Sequence, residues 1–327
     1  MAALKPSAAP TDISIALCTY NGAAHLAEQL DSLIVQTFPP YELVVCDDKS
    51  QDESIAILES FVTRSPFPVR IYRNPQRLGI SNNFEQAIHL CQGNVIALCD
   101  QDDVWLPNKL AIFAESFKGG MDWVCCDAEV SDSDLHSLGY TLWQRVNFNH
   151  NELQFAREGR FLDVLLKHFV VAGATLAFKS QARDRLLPIP QGWLYDAWIA
   201  TILAATGKAG LKETPLQRYR QHGGNALGAA PRSLLHEACA ALALDKRSYY
   251  AEEIARCDAL AIRLAELEAP ESIRCQVNAK IARLRRRAAL PANRLARLPA
   301  VTAEILSGGY ARYARNWGSI ALDLLVK

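Results

Sequence analysis

The feature that most restricts the fold is an alternation, through the first hundred residues, of short apolar runs that stop at polar loops with segments of helical spacing. Ile13-Ser14-Ile15-Ala16-Leu17-Cys18 stops at the turn signal Thr19-Tyr20-Asn21-Gly22, after which Leu26, Leu30, Leu33 and Ile34 recur on one helical face. Tyr41 to Cys46 stops at Asp47-Asp48-Lys49-Ser50-Gln51-Asp52, and a helix follows from Ser54 to about Thr63 with Ile55, Ile57, Leu58 and Phe61 on its apolar side. Val69 to Tyr72 reads as a third strand, Asn83 to Leu90 as a third helix and Val95 to Cys99 as a fourth strand. Strands separated by helices predict an α/β fold: a largely parallel, Rossmann-like sheet covered by helices on both faces. Ligands of such sheets collect at the carboxyl ends of the strands, so the loops after the first, second and fourth strands converge on one crevice.

The fourth strand ends in the densest cluster of acids in the chain. Ile96-Ala97-Leu98-Cys99 runs directly into Asp100-Gln101-Asp102-Asp103-Val104-Trp105. Three carboxylates at the end of a buried strand repel one another, and a hard divalent cation with oxygen ligands, Mg²⁺ or Mn²⁺, would relieve that repulsion. A merely solvated acidic loop is the competing reading, and the buried strand before it counts against that.

Half of the 327 residues are apolar, enough for a sizeable core in one large domain or two smaller ones. The 35 basic residues equal the 35 acidic ones, which gives no argument for a nucleic-acid partner. The balance is uneven along the chain, with an excess of about six positive charges from Pro231 onward. Nine cysteines, odd in number and without a CxxC pair, read as small buried residues of a reducing cytoplasm rather than as a disulfide framework or zinc site. Met1 to Pro10 lacks a long apolar run, and no window elsewhere has the length of a spanning helix, so a cytoplasmic protein, soluble or peripheral on the membrane, is expected.

Four segments, Cys18-Thr19-Tyr20-Asn21-Gly22, Val45 to Asp52, Leu78-Gly79-Ile80-Ser81-Asn82-Asn83-Phe84 and Asp100 to Trp105, resemble in order and spacing the signatures of family 2 glycosyltransferases with the GT-A fold, especially bacterial rhamnosyltransferases of surface polysaccharide synthesis such as O-antigen or capsule. The resemblance continues in Val171-Ala172-Gly173-Ala174-Thr175, in Leu194-Tyr195-Asp196-Ala197-Trp198 and in Tyr219-Arg220-Gln221-His222-Gly223-Gly224-Asn225. It covers about residues 11–228 and implies a nucleotide-binding part near 11–105 and an acceptor part near 106–228, with 229–327 as a helical extension. One departure stands out. Lys49 occupies a turn position where the family commonly has glycine, and lysine tolerates a positive φ less well.

What the resemblance implies about individual residues follows the parts of a nucleoside-diphosphate sugar, with dTDP or UDP as the nucleotide and dTDP-rhamnose as the favoured donor. Asp47 or Asp48 can accept a hydrogen bond from the imide of uracil or thymine, while Thr19, Tyr20, Asn21, Asn83, Asp100 and Gln101 meet the nucleotide. Asp102 is the metal ligand, His222 its added imidazole, and Arg220 a planar fork for phosphate, with Arg73 and Arg77 as weaker candidates. Ordinary turn chemistry competes for Thr19 and Asn21. Asp196, among Trp193, Tyr195 and Trp198, is the implied base that takes the proton of the acceptor hydroxyl in an inverting displacement. Asp103, Trp105, Gly173, Trp193, Tyr195 and Trp198 are the implied acceptor contacts, and a saccharide or polyprenyl-linked saccharide is the implied acceptor.

Beyond Ser233 the pattern is helical and punctuated by Pro270 and Pro291. The basic run Ile281 to Arg287, followed by Tyr310, Tyr313 and Trp317, fits a helix lying on an anionic inner membrane, and equally a helical cap or a homodimer contact with a solvated charged face. A nucleotidyltransferase would want a glycine-rich phosphate loop after the first strand, which Thr19 to Ala24 lacks. A non-catalytic sugar-nucleotide or membrane-docking scaffold would have no need of Asp102, Asp196 and His222 together.

Overall fold

The computed structural model describes residues 11–222, 246–314 and 318–325. Three expectations lie outside those residues: Gly223, Gly224 and Asn225 at the end of the last matching segment, the helical pattern from Ser233 to Leu244, and Trp317. The strands are β1 (Ile13–Thr19), β2 (Glu42–Asp47), β3 (Val69–Arg73), β4 (Val95–Cys99), β5 (Val104–Trp105), β6 (Trp123–Cys126), β7 (Glu129–Ser131), β8 (Ser137–Thr141), β9 (Leu176–Lys179), β10 (Ala209–Lys212) and β11 (Gln217–Arg220). Helices α1 (Leu26–Ile34), α2 (Ser54–Arg64), α3 (Ile80–Leu90) and α4 (Lys109–Lys118) connect the first of them.

A seven-stranded sheet in the order β10-β6-β9-β4-β1-β2-β3 forms the centre. It is parallel except at β9, which runs antiparallel to both β4 and β6. All seven residues of β1 are buried, because the sheet is covered on both sides. The two-residue alternation then sorts them: Ile13, Ile15 and Leu17 join α1 and Phe61 of α2 on one face, while Ala16 and Cys18 join Phe84, Ala87 and Ile88 of α3 on the other. Each large apolar side chain so buried contributes about 1.5–3 kcal/mol.

Strand order reverses at β1, which has β2 on one side and β4 on the other. Thr19 pairs with Asp47, and Leu17 with Cys99, so the carboxyl ends of all three strands open at one edge of the sheet. A second, four-stranded sheet, β5-β11-β7-β8, starts from the same edge, because β5 follows directly on the turn after β4. The tail packs as helices Lys246–Glu266 and Glu271–Ala288, broken at Pro270, followed after Pro291 by shorter helices from Leu298.

The basic run of the tail is divided between inside and outside. Arg283 and Arg287 are buried, Arg283 against Glu304 and Arg287 with Nε 2.5 Å from Asp323 Oδ2. Arg285 and Arg286 remain outside. The run therefore does not present one continuous basic face. No helix among the described residues is long and apolar enough to cross a membrane. Of the described cysteines all are free, and only Cys275 is exposed.

Candidate active site

A cleft of about 390 Å³ opens where β1, β2 and β4 end, lined among others by Thr19, Asp48, Asn83, Asp100, Asp102, Gly173, Tyr195 and Asp196. Residues drawn from the first strand loop and from the helix Tyr195–Thr206 thus face one space.

Its floor is set by the turn after β4. β5 leaves that turn and pairs antiparallel with β11, Trp105 opposite Gln217 and Val104 opposite Arg218. The pairing carries His222 to Asp102, Nε2 to Oδ2 at 2.8 Å, across 120 residues of sequence. The turn itself is tied down from the same strand: Asp103 accepts from the Arg220 backbone N–H at 3.1 Å and from Gln217 Nε2 at 2.7 Å, and Arg220 Nε donates to the Asp102 carbonyl at 2.8 Å.

The acids behave as crowded, dehydrated charges. Burial, then the neighbouring charge of Asp102, pushes the Asp100 carboxyl up to about 7, despite a 3.0 Å hydrogen bond from the Tyr195 hydroxyl. Burial, then Asp102 and Asp100, pushes Asp103 well above the usual carboxylate range. Beneath them Lys109, fully buried, donates to the Ala174 carbonyl at 2.6 Å and to Gln217 Oε1 at 2.5 Å and lies 3.7 Å from the Trp105 ring centre. A cation placed among the acids answers the same repulsion from the open side. Among the described residues no three His, Cys, Asp or Glu side chains form a ready metal cage. The donor set present, one carboxylate with one imidazole and a second carboxylate nearby, fits a borderline ion such as Mn²⁺ that takes further oxygens from a diphosphate.

Asp196 begins the helix Tyr195–Thr206 and accepts from its own helix at Ala197 N–H, 2.7 Å, and from Gly173 N–H, 3.3 Å. Burial raises its carboxyl to about 6, the two backbone N–H groups holding it from rising further. Gly173 has a steric reason to be glycine: a Cβ there would overlap the hydroxyl and ring of Tyr195. Tyr195 is in turn fixed by stacking on Phe84, centroids 3.8 Å apart at 10°.

Several expected contacts are placed elsewhere. Arg220 is buried with its guanidinium on the Asp102 and Ser133 carbonyls and the Glu28 carboxylate, so it braces the acid turn instead of presenting a fork to phosphate. Asp103 is consumed by the same brace. Trp105 and Trp198 are both 1% exposed, Trp198 with its indole N–H on the Leu186 carbonyl, and both belong to the core rather than to an acceptor surface. Asp47 is fully buried and spent on Thr19 and Ser50, whereas Asp48 lines the cleft and receives the Leu78 and Gly79 N–H groups at 2.6 and 2.9 Å. Asn21 does turn work, its side chain accepting from Gln51 N–H. Asn83 lines the cleft but donates to the Cys46 carbonyl. Lys49 adopts φ +67°, so the turn keeps its left-handed residue without glycine. Tyr20 and Gln101 line the cleft, joined by Arg77, whose guanidinium lies 4.0 Å from the Tyr20 ring centre. Trp193 lines a neighbouring cavity. Lys109 and Gln217 were not singled out from sequence; their only signal is proximity to the acid turn and to β11.

A parallel sheet with a reversal point, one antiparallel strand and an acid turn clasped by a second sheet is the GT-A architecture of glycosyltransferases. The family model described as glycosyl transferase family 2 matches residues 14–185, just over half of the chain, and the chain belongs to that family. An uncharacterized glycosyltransferase of Nostoc sp. is 26% identical over 227 residues, covering 65% of this chain and 66% of its own. The UDP-Glc:α-D-GlcNAc-diphosphoundecaprenol β-1,3-glucosyltransferase WfgD of Escherichia coli is 25% identical over 42% of this chain and 53% of its own. The chain therefore spans less than two thirds of the length of these curated relatives. Among solved structures, Staphylococcus aureus TarS 1-349 in complex with UDP-GlcNAc superposes with a TM-score of 0.57 at 16% identity, over 84% of this chain and 72% of that one. The mannosyltransferase PcManGT of Pyrobaculum calidifontis, in complex with GDP-Man and Mn²⁺, gives 0.50 at 20% identity over 97% and 79%. Membership in the family counts against the nucleotidyltransferase alternative.

Proposed function

We propose that the chain is an inverting, metal-dependent glycosyltransferase that moves a sugar from a nucleoside diphosphate to a saccharide hydroxyl in polysaccharide synthesis. One observation carries the reading: Asp102 and Asp196 line the same cleft, and His222 meets Asp102 at 2.8 Å. Asp102 and His222 would hold Mn²⁺ or Mg²⁺, and a bound cation supplies electrostatic stabilisation of the departing diphosphate. Tyr20, Arg77 and Asp48 take the nucleoside, with a uracil or thymine imide donating to Asp48. UDP and dTDP donors, dTDP-rhamnose included, both fit that chemistry. Asp196, ionised at neutral pH yet more basic than an ordinary aspartate, takes the proton of the acceptor hydroxyl as that oxygen attacks the anomeric carbon from the face opposite the diphosphate. A single displacement inverts the anomeric configuration.

Thermal shift with UDP, dTDP and GDP, each with and without Mn²⁺, tests the donor half. The expected result is a midpoint raised by UDP or dTDP only with metal present, and abolished in Asp102→Asn and His222→Ala. Equal shifts without metal would remove Asp102 and His222 from their roles.

A further inference from the structure

The acid turn after β4 and the base Asp196 stand on different parts of the chain, and one buried side chain touches the supports of both. Lys109 is the first residue of α4 and is fully buried. An ammonium loses its hydration in such a place, and the amino-terminal end of a helix carries the positive pole of its dipole. Neither solvation nor the helix favours a cation there. Its two hydrogen bonds go to neutral oxygens, the Ala174 carbonyl at 2.6 Å and Gln217 Oε1 at 2.5 Å, and the Trp105 ring centre lies 3.7 Å away.

Each of these oxygens belongs to the support of one half of the site. Gln217, also fully buried, passes the contact on: its Nε2 donates at 2.7 Å to Oδ2 of Asp103, the neighbour of Asp102, and its strand β11 is the one that leads to His222. Ala174 is the middle residue of the short turn Gly173–Thr175, whose first N–H donates to Asp196 at 3.3 Å. The two partners lie 65 and 108 residues from Lys109 in sequence, and Lys109 does not itself line the cleft. An unbranched apolar side chain of similar length would fill the same space, and such a replacement of buried charge is often neutral for stability. It could not bond two oxygens at once, which an ammonium with three donors does.

We propose that Lys109 is a positioning residue that fixes the acid turn and the base-supporting turn at one separation, so that a metal-bound donor and the Asp196 carboxylate meet across the cleft in a single geometry. The inference rests on the readings of Asp102 with His222 as the metal site and of Asp196 as the base. Lys109 touches no substrate; it acts through Gln217 on one side and Ala174 on the other. Such spacing matters because a misplacement of about 1 Å can cost on the order of 10² in rate.

The test compares the full chain with Lys109→Met and Gln217→Leu. Mn²⁺ binding in the presence of saturating UDP is followed by the electron paramagnetic resonance of the free ion, and amide hydrogen exchange is followed without any ligand. Lys109→Met is expected to weaken Mn²⁺ at least fivefold and to speed exchange across Gly173, Ala174, Thr175 and Leu176 at least tenfold, with β1 exchanging as in the parent. Gln217→Leu cuts only the arm to the acid turn, so it is expected to weaken Mn²⁺ similarly and to leave exchange at Gly173 to Leu176 unchanged. A lysine that merely filled the core would leave Mn²⁺ affinity where it was. A change at only one of the two places in Lys109→Met overturns the proposal, and so does exchange at Gly173 that Gln217→Leu speeds as much as Lys109→Met does. Should Lys109→Met fail to fold, Gln217→Leu carries the test, and an unchanged Mn²⁺ affinity there overturns the proposal. A parent that binds no Mn²⁺ with UDP overturns the donor reading and this inference with it; a parent that binds, beside variants that match it, overturns this inference alone.

Discussion

Two regions of this molecule bury charge, and they do so in opposite ways. In the tail, Asp323 is fully buried but saturated: Tyr250 and Tyr310 hydroxyls donate to it at 2.7 and 2.6 Å, Arg287 at 2.5 Å, and Arg297 binds its carbonyl at 2.8 Å. In the cleft, Asp100 and Asp102 lie close together, and Asp196 shares that space with only two backbone N–H groups in support. Charge that is neutralised by its own chain holds helices together. Charge left partly uncompensated at an open space is poised for something that arrives from outside.

The sharpest way to break the contrast is Asp196→Asn. Removing the base should lower the transfer rate by about 10²–10⁴-fold with UDP or dTDP affinity nearly unchanged. A steady-state assay beside nucleotide titration decides it, and equal losses in both would take Asp196 out of its role. Asp323→Ala should do the reverse: donor affinity of the folded protein is kept, while unfolding free energy drops by about 3–5 kcal/mol, because Arg287 loses its counter-ion in a buried site. Urea unfolding measures it, and a loss under 1 kcal/mol would show the tail network to be ornamental.

Smaller effects sharpen the comparison. Gly173→Ala forces its methyl into Tyr195 and shifts the N–H that supports Asp196; a cost of about 1–3 kcal/mol in stability is expected, with kcat falling more than donor affinity. Smallest is the pH dependence of stability. The folded-state pKa of Asp196, about 6, lies above its ordinary value of 3.8. Its stabilising contribution is therefore full below about pH 4 and is lost as pH rises through 6. Asp196→Asn should accordingly be more stable than the parent at pH 7–8 by about 1–2 kcal/mol, and the gain should vanish below pH 4, as thermal unfolding across pH can check. The transfer rate of the parent should meanwhile fall as pH drops below 6, where the base becomes protonated.

How much of this was readable from residues depends on the distance over which each feature is decided. Val95–Cys99 is a strand with the expected ends, and the helix from Ser54 extends to Arg64, one residue past its expected end, because alternation and helical spacing are local signals. The α3 helix starts earlier than expected, at Ile80, since the Gly79 turn at φ +82° rather than the first polar residue sets its start. Leu176–Lys179 carries four ordinary residues, and nothing in them says that the strand will insert antiparallel between β4 and β6. The site follows the same division. Asp102, His222 and Asp196 stand in short motifs with recognisable neighbours. Trp105 and Trp198 could not be separated from sugar-facing tryptophans, because an indole suits both a core and a cleft rim. The bracing of Arg220 is not legible locally, since its partners, the Ser133 and Asp102 carbonyls and Glu28, lie 87 to 192 residues away.

The pairing of β5 with β11 bears on how the protein is made. A ribosome delivers β1, β2 and β4 early, yet the histidine that reaches Asp102 emerges only after residue 222. An unfinished polypeptide would hold the nucleoside shelf without the clasp, and so would be a poor trap for activated sugar until synthesis has passed the last strand.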